Sequence, residues 1–163
     1  MKFSICVLEP EGLNYTHFLY DICKYLSYGI ESAGYECCIL RNKMVSDRTN
    51  IIIGAHNQTD PSIVDKIKQA GNYILLQSEI ITGDSINNWS VQKSFADVYL
   101  PLMRQAQAVW TGVESNIKAL KELQVEAELI LMGYHPLMEE VHHKFIKDID
   151  FLFCGSITPH RKK

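Results

Sequence analysis

The run Asn50-Ile51-Ile52-Ile53-Gly54-Ala55-His56-Asn57, the pair Asp60-Pro61 that follows it, and the run Tyr73-Ile74-Leu75-Leu76 decide the fold class. The first run is short, β-branched and apolar on both alternating faces, as expected of a strand buried from both sides in a parallel sheet. Asp60 before Pro61 is a helix start, because proline at the first helical position gives up an N–H that has no partner there. Ile63, Val64 and Ile67 then form one stripe, and Gly71 closes the helix. Residues 73–76 repeat the apolar strand signature. Strand, helix and strand joined by short turns make a βαβ unit, whose strands lie parallel.

The same alternation extends outward. Residues 2–8 alternate Phe3, Ile5 and Val7 and end at Glu9-Pro10-Glu11-Gly12, a strand and its loop. From Thr16, apolar side chains at Phe18, Leu19, Ile22, Cys23, Leu26 and Ile30 recur at helical spacing up to a capping Gly34. Residues 36–40 form a second short strand, and 41–49 a polar loop. Residues 77–94 mix Gly, Asn, Asp and Ser and predict a long functional loop or lid. Residues 95–106 are helical in pattern, with Pro101 marking a kink or a restart. Residues 108–111 are a strand, Ser115 caps a helix carrying Ile117, Leu120 and Leu123, and residues 128–131 are the sixth strand. The expectation is an α/β domain, Rossmann-like, with a mostly parallel sheet flanked by helices.

Composition narrows the function classes. The 163 residues, 47% hydrophobic and 21% charged, suit one globular domain without disulfide or metal support. A net charge of −3 argues against a protein that coats a polyanion, so no nucleic-acid partner is expected. No apolar run approaches the ~20 residues of a transmembrane segment, and the N-terminus turns acidic at Glu9 without a signal-peptide core. These features predict a cytoplasmic protein. Cys6, Cys23, Cys37, Cys38 and Cys154 are odd in number and show no Cys-x-x-Cys spacing, which reads as reduced, partly buried thiols.

Ligands of parallel sheets sit at the carboxyl ends of the strands. His56 follows the third strand and Glu79 the fourth, and both are candidates for proton transfer; the plainer alternatives are a loop histidine and an exposed carboxylate. Glu9, Glu11, Asn14 and His17 cluster between the first strand and its helix. Asn14 or Thr16 reads more simply as a helix cap. His17 falls in the first helical turn, where the dipole lowers an imidazole's proton affinity. Gly155, Ser156 and Arg161 form an anion-site candidate, since a Gly-Ser turn exposes N–H groups and arginine adds a bidentate contact. A plain turn with a basic tail is the alternative there. His142-His143 is rejected as a metal site, because adjacent loop histidines have no third ligand at diagnostic spacing. No Gly-x-Gly-x-x-Gly, Walker A or Gly-x-Ser-x-Gly motif occurs, which disfavours dinucleotide, phosphate-loop and α/β-hydrolase chemistry. A methyltransferase is distant for want of its glycine-rich loop.

Beyond residue 133 the pattern changes. Residues 134–147 are an irregular connector, and Asp150-Phe151-Leu152-Phe153-Cys154 is a strand leading into a helix start at Thr158-Pro159. No helix follows before Lys163, so the sequence reads as truncated.

One series of segments carries a family resemblance: Tyr73-Ile74-Leu75-Leu76-Gln77-Ser78-Glu79, Ala106-Gln107-Ala108-Val109-Trp110-Thr111 with Ser115-Asn116-Ile117-Lys118-Ala119-Leu120, Met132-Gly133-Tyr134-His135-Pro136, and residues 148–156 with Arg161. It resembles the N-terminal half of bacterial GT-B fold glycosyltransferases, including the CgeB-like group. The resemblance spans most of the chain from Asn50 onward through loose patterns, and Cys154 departs from it where an aromatic residue is expected. It implies residues 1–147 as a Rossmann-like acceptor-side domain and 148–163 as the interdomain junction with the first strand of a donor-binding domain. It further implies a metal-independent transferase with no cofactor and a nucleotide-sugar as co-substrate. Gly155, Ser156 and Arg161 would then meet the donor phosphates, Glu11, Asn14 and His17 would line the acceptor side, and His56 or Glu79 would take the hydroxyl's proton. The alternative from another class is a self-contained, non-catalytic ligand-binding or protein-interaction module.

Overall fold

A computed structural model describes residues 1–12, 17–83, 85–86 and 94–140. Six strands form one sheet in the order β2-β1-β3-β4-β7-β8, and every pairing is parallel. They are β1 (Lys2–Val7), β2 (Glu36–Arg41), β3 (Thr49–Ile53), β4 (Tyr73–Gln77), β7 (Ala108–Thr111) and β8 (Glu128–Leu129). Four helices connect them: α1 (His17–Ser32), α2 (Ser62–Gln69), α3 (Leu100–Gln105) and α4 (Glu114–Glu122). The structure is therefore a Rossmann-like α/β fold. Among the described residues no helix is long and apolar enough to cross a membrane.

The two-residue period of the strands builds two cores. Ile5, Val7, Ile51, Ile53, Ile74 and Leu76 face α1, where they meet Leu19 and Cys23. Cys6, Ile52, Leu75 and Val109 face the other way, against Ile67, Val98, Tyr99, Leu102, Met103 and Leu120. The all-apolar sequence of β3 is the consequence of burial on both faces. Burial also pushes the Cys6 thiol up to about 11 and the Cys23 thiol to about 12, so both are inert at neutral pH. Cys37 and Cys38 are half-buried and free as well, and Cys154 lies outside the described residues.

Several local expectations are refined. Residues 81–86 contain a small antiparallel ribbon, β5 (Ile81–Thr82) with β6 (Ser85–Ile86). Pro101 marks a restart: a π-helical turn (Phe95–Tyr99) gives way to α3 with proline in its first turn, where its missing N–H costs nothing. Ser115 does not cap α4, which begins one residue earlier after an extended Val113 without a side-chain cap. Past β8 the chain returns across α1. Gly133 N donates to the Tyr25 hydroxyl at 2.7 Å, His135 stacks on Tyr28 with ring centroids 5.3 Å apart, and its Nε2 lies 3.0 Å from Ser32 Oγ. Lys24 pairs with Glu140 at 2.8 Å.

The strand order sets the site. From β1 the chain crosses to β2 on one side, then returns to β3 on the other. In open parallel sheets the loops that part at such a switch point bound the ligand crevice.

Candidate functional site

The loops leaving β1 and β3 meet at this switch point. Leu8 N donates to Ile53 O at 2.9 Å, and Gly54 turns the chain immediately afterwards with φ +83°. Its Cα lies so close to the β1 exit that a Cβ there would stand 2.6 Å from Leu8 O. The tight turn starts a single 3₁₀ turn (Ala55–Asn57) directly beyond the strand and lays His56 against Tyr99, with ring centroids 6.2 Å apart and planes at 77°.

The His56 side chain is only 10% exposed, and its Nε2 lies 3.9 Å from Glu79 Oε1. That separation is a charge contact and too long for a hydrogen bond. His56 Nδ1 is fully covered and has no hydrogen-bond partner among the described residues. Burial lowers the imidazole's pKa, and the Glu79 carboxylate opposes this in part. The ring is accordingly neutral at pH 7. A carboxylate only accepts, so it favours the tautomer with Nε2–H turned toward it. Nδ1 is then a lone-pair acceptor with no donor among the described residues.

Glu79 stands on a braced turn. Its carbonyl oxygen accepts from Gln77 Nε2 at 2.7 Å and from Asn116 Nδ2 at 2.8 Å. Asn116 Oδ1 accepts from Ile81 N at 2.9 Å, and Asn116 Nδ2 also reaches Thr111 Oγ1 at 3.0 Å. The Tyr99 hydroxyl donates to Gln77 Oε1. Burial and the Glu79 charge hold the Tyr99 phenol far above its usual range, so it remains a donor.

His56 and Glu79, two separate candidates from the sequence, are thus brought together from two strand ends. Glu11 is exposed in the loop leaving β1. His17 is the first residue of α1. Asn14, Gly155, Ser156 and Arg161 lie outside the described residues, as do residues 148–163 of the expected junction. Among the described residues no group of three His, Cys, Asp or Glu side chains is placed to hold a metal ion.

Comparison with protein-family models, with curated proteins and with solved structures finds no significant match to this chain.

The burial and pairing of two groups at this edge, the first of them already in the cluster between β1 and α1, emerge only in the folded chain. Glu9 is one: its carboxylate is 4% exposed and ion-paired with Arg41. Asn42 clasps its backbone, accepting from Glu9 N at 2.7 Å and donating to Glu9 O at 2.9 Å. The other is the amide set of Gln77 and Asn116, both fully buried. A polar residue closing the apolar run of β4 was the only hint of Gln77.

The neutral His56 has a stability consequence. Its pKa in the folded chain lies below the ordinary 6.5, so the unfolded chain binds more protons as pH falls through that value. Stability is full above about pH 6.5 and declines below it, toward the folded-state pKa. Urea unfolding of the parent and of His56→Gln between pH 7.5 and 5 is expected to show a flatter profile in the variant. Parallel profiles would mean that His56 is not held neutral by burial.

Proposed function

We propose that this chain is the acceptor-side domain of a metal-independent GT-B glycosyltransferase, which moves a sugar from a nucleotide diphosphate to an acceptor hydroxyl. The supporting observation is a neutral, buried imidazole with an unpartnered Nδ1, beside a carboxylate, at the switch point of a parallel sheet. In this reading the acceptor oxygen forms a bond to the anomeric carbon as the bond to the nucleoside diphosphate breaks. The hydroxyl proton passes to His56 Nδ1, and the Glu79 carboxylate stabilises the imidazolium that results. Because Nδ1 is covered, the acceptor reaches it only after the ring turns or its cover shifts. Glu11, Asn14 and His17 belong to the acceptor entrance, and Gly155, Ser156 and Arg161 to the donor phosphates.

The test uses protein purified from its native source, incubated with UDP-, dTDP-, GDP- and ADP-hexoses and assayed for nucleoside diphosphate release. With a productive donor, His56→Ala is expected to cut turnover about 10²-fold or more, and Glu79→Gln to cut it less. Undiminished turnover in His56→Ala removes His56 from the chemistry. The covered Nδ1 favours one other reading, a non-catalytic binding module in which His56 is a packing residue. That reading predicts no release from any donor. The transferase reading also predicts that the native polypeptide exceeds these 163 residues by a domain of about 150.

A further inference from the structure

We infer that Asn116 and Gln77 are positioning residues, two buried amides that fix the turn carrying Glu79 and so hold its carboxylate at His56. The purpose of this clamp rests on the transferase reading, whereas its existence can be tested without substrate.

Neither amide touches His56. Both are fully buried, which is costly for a side-chain amide unless its hydrogen bonds are made. Here they converge on one turn. Glu79 O receives Gln77 from β4 and Asn116 from α4, at 2.7 and 2.8 Å, which occupies both of its lone pairs. Asn116 also accepts Ile81 N at 2.9 Å, and so anchors the turn on both sides of Ile80. Each amide is fixed in its own right, Gln77 by the Tyr99 hydroxyl and Asn116 by Thr111 Oγ1. A surface turn satisfies such groups with water. This one is bound to a residue 37 positions along the chain. With its backbone held from the sheet and from a helix, Glu79 keeps only side-chain rotations, and Ser78 Oγ at 3.4 Å lies beside the same oxygen that faces His56. Among the described residues the groups set against the imidazole are the Glu79 carboxylate and the neutral Tyr99 ring, in a T-shaped contact.

The readout is the protonation midpoint of His56 by NMR, in the parent, Glu79→Gln, Asn116→Ala and the double variant Gln77→Met/Tyr99→Phe. The double variant replaces both partners of a buried bond by apolar groups of similar shape, the exchange that best preserves folding. It carries the test if Asn116→Ala does not fold. Glu79→Gln is expected to lower the midpoint by about 1 pH unit, since it removes a stabilising charge within about 4–6 Å. Each clamp variant is expected to reproduce at least about half of that fall. A merely structural role would reduce thermal stability and leave the midpoint at the parent value, and that result overturns the proposal. So would an unchanged midpoint in Glu79→Gln. Full turnover in His56→Ala would sink the transferase reading while the clamp still registered in these titrations.

Discussion

Gly54→Ala is expected to destabilise the domain by at least about 3 kcal/mol, read as a fall in the urea midpoint with an unchanged slope. Two costs combine. At φ +83° any L side chain is strained, by roughly 1–2 kcal/mol. In addition the new methyl would meet Leu8 O at 2.6 Å and Leu19 Cδ1 at 3.4 Å. The leucine tip can yield, but the carbonyl cannot retreat cheaply. Leu8 N is bonded to Ile53 O, and Asn42 clasps the following residue through both its N–H and its C=O. Relief therefore requires β1 and β3 to part at the switch point, where His56 begins its turn. Gly112 is the control, since a Cβ there meets only Ile130 O at an ordinary 3.7 Å. If Gly54→Ala costs no more than Gly112→Ala, the close approach of the two strand exits is wrong.

The second large effect lies at the other end of β3, where the strand begins. Asn50→Leu is expected to cost about 3 kcal/mol or more, although the two side chains are of similar size. Asn50 is fully buried at the start of β3. Its Oδ1 accepts from Ser4 Oγ at 2.7 Å and Val45 N at 2.9 Å, and its Nδ2 donates to Val45 O at 2.9 Å and Arg48 O at 3.3 Å. Leucine strands the Ser4 hydroxyl and Val45 N, at roughly 1–3 kcal/mol for each group left buried and unpaired, while Val45 O keeps a bond from Arg48 N at 3.4 Å. Adding Ser4→Ala should recover about 1 kcal/mol, because it removes one stranded hydroxyl; Val45 N stays orphaned. Denaturant titration of the single and double variants decides it, and a loss under about 1 kcal/mol for Asn50→Leu would mean that water or a rearranged loop satisfies them.

Asn50 also marks where the sequence was legible and where it was not. The apolar pattern of Ile51, Ile52 and Ile53 gave away a doubly buried strand, and glycines at 34, 54 and 71 punctuated the units. The mostly parallel sheet follows from such local signals, whereas its strand order appears only in the structure. Within that frame strand-end placement singles out His56 and Glu79 as candidates, and the structure sets them 3.9 Å apart. What stayed hidden depends on long-range pairing. Asn116 reads as an ordinary polar residue of an amphipathic helix, and nothing local shows that it turns inward to a loop 37 residues earlier. Glu9 and Asn42 are likewise 33 residues apart. The ribbon of β5 and β6 has two residues per strand, too few for a period to register.

The return of the chain across α1 has a different kind of consequence. Strands of the sheet are sewn by ladders of backbone bonds, so each comes away only with its neighbours. The stretch from Gly133 to Glu140 is fastened to α1 by a tyrosine hydroxyl, a serine, one ring stack and one lysine. Such a seam opens without breaking any ladder, as a local event with its own small free energy. That seam lies on α1, on the face of the sheet away from Asn116 and the clamp around Glu79, so its opening leaves the site in place.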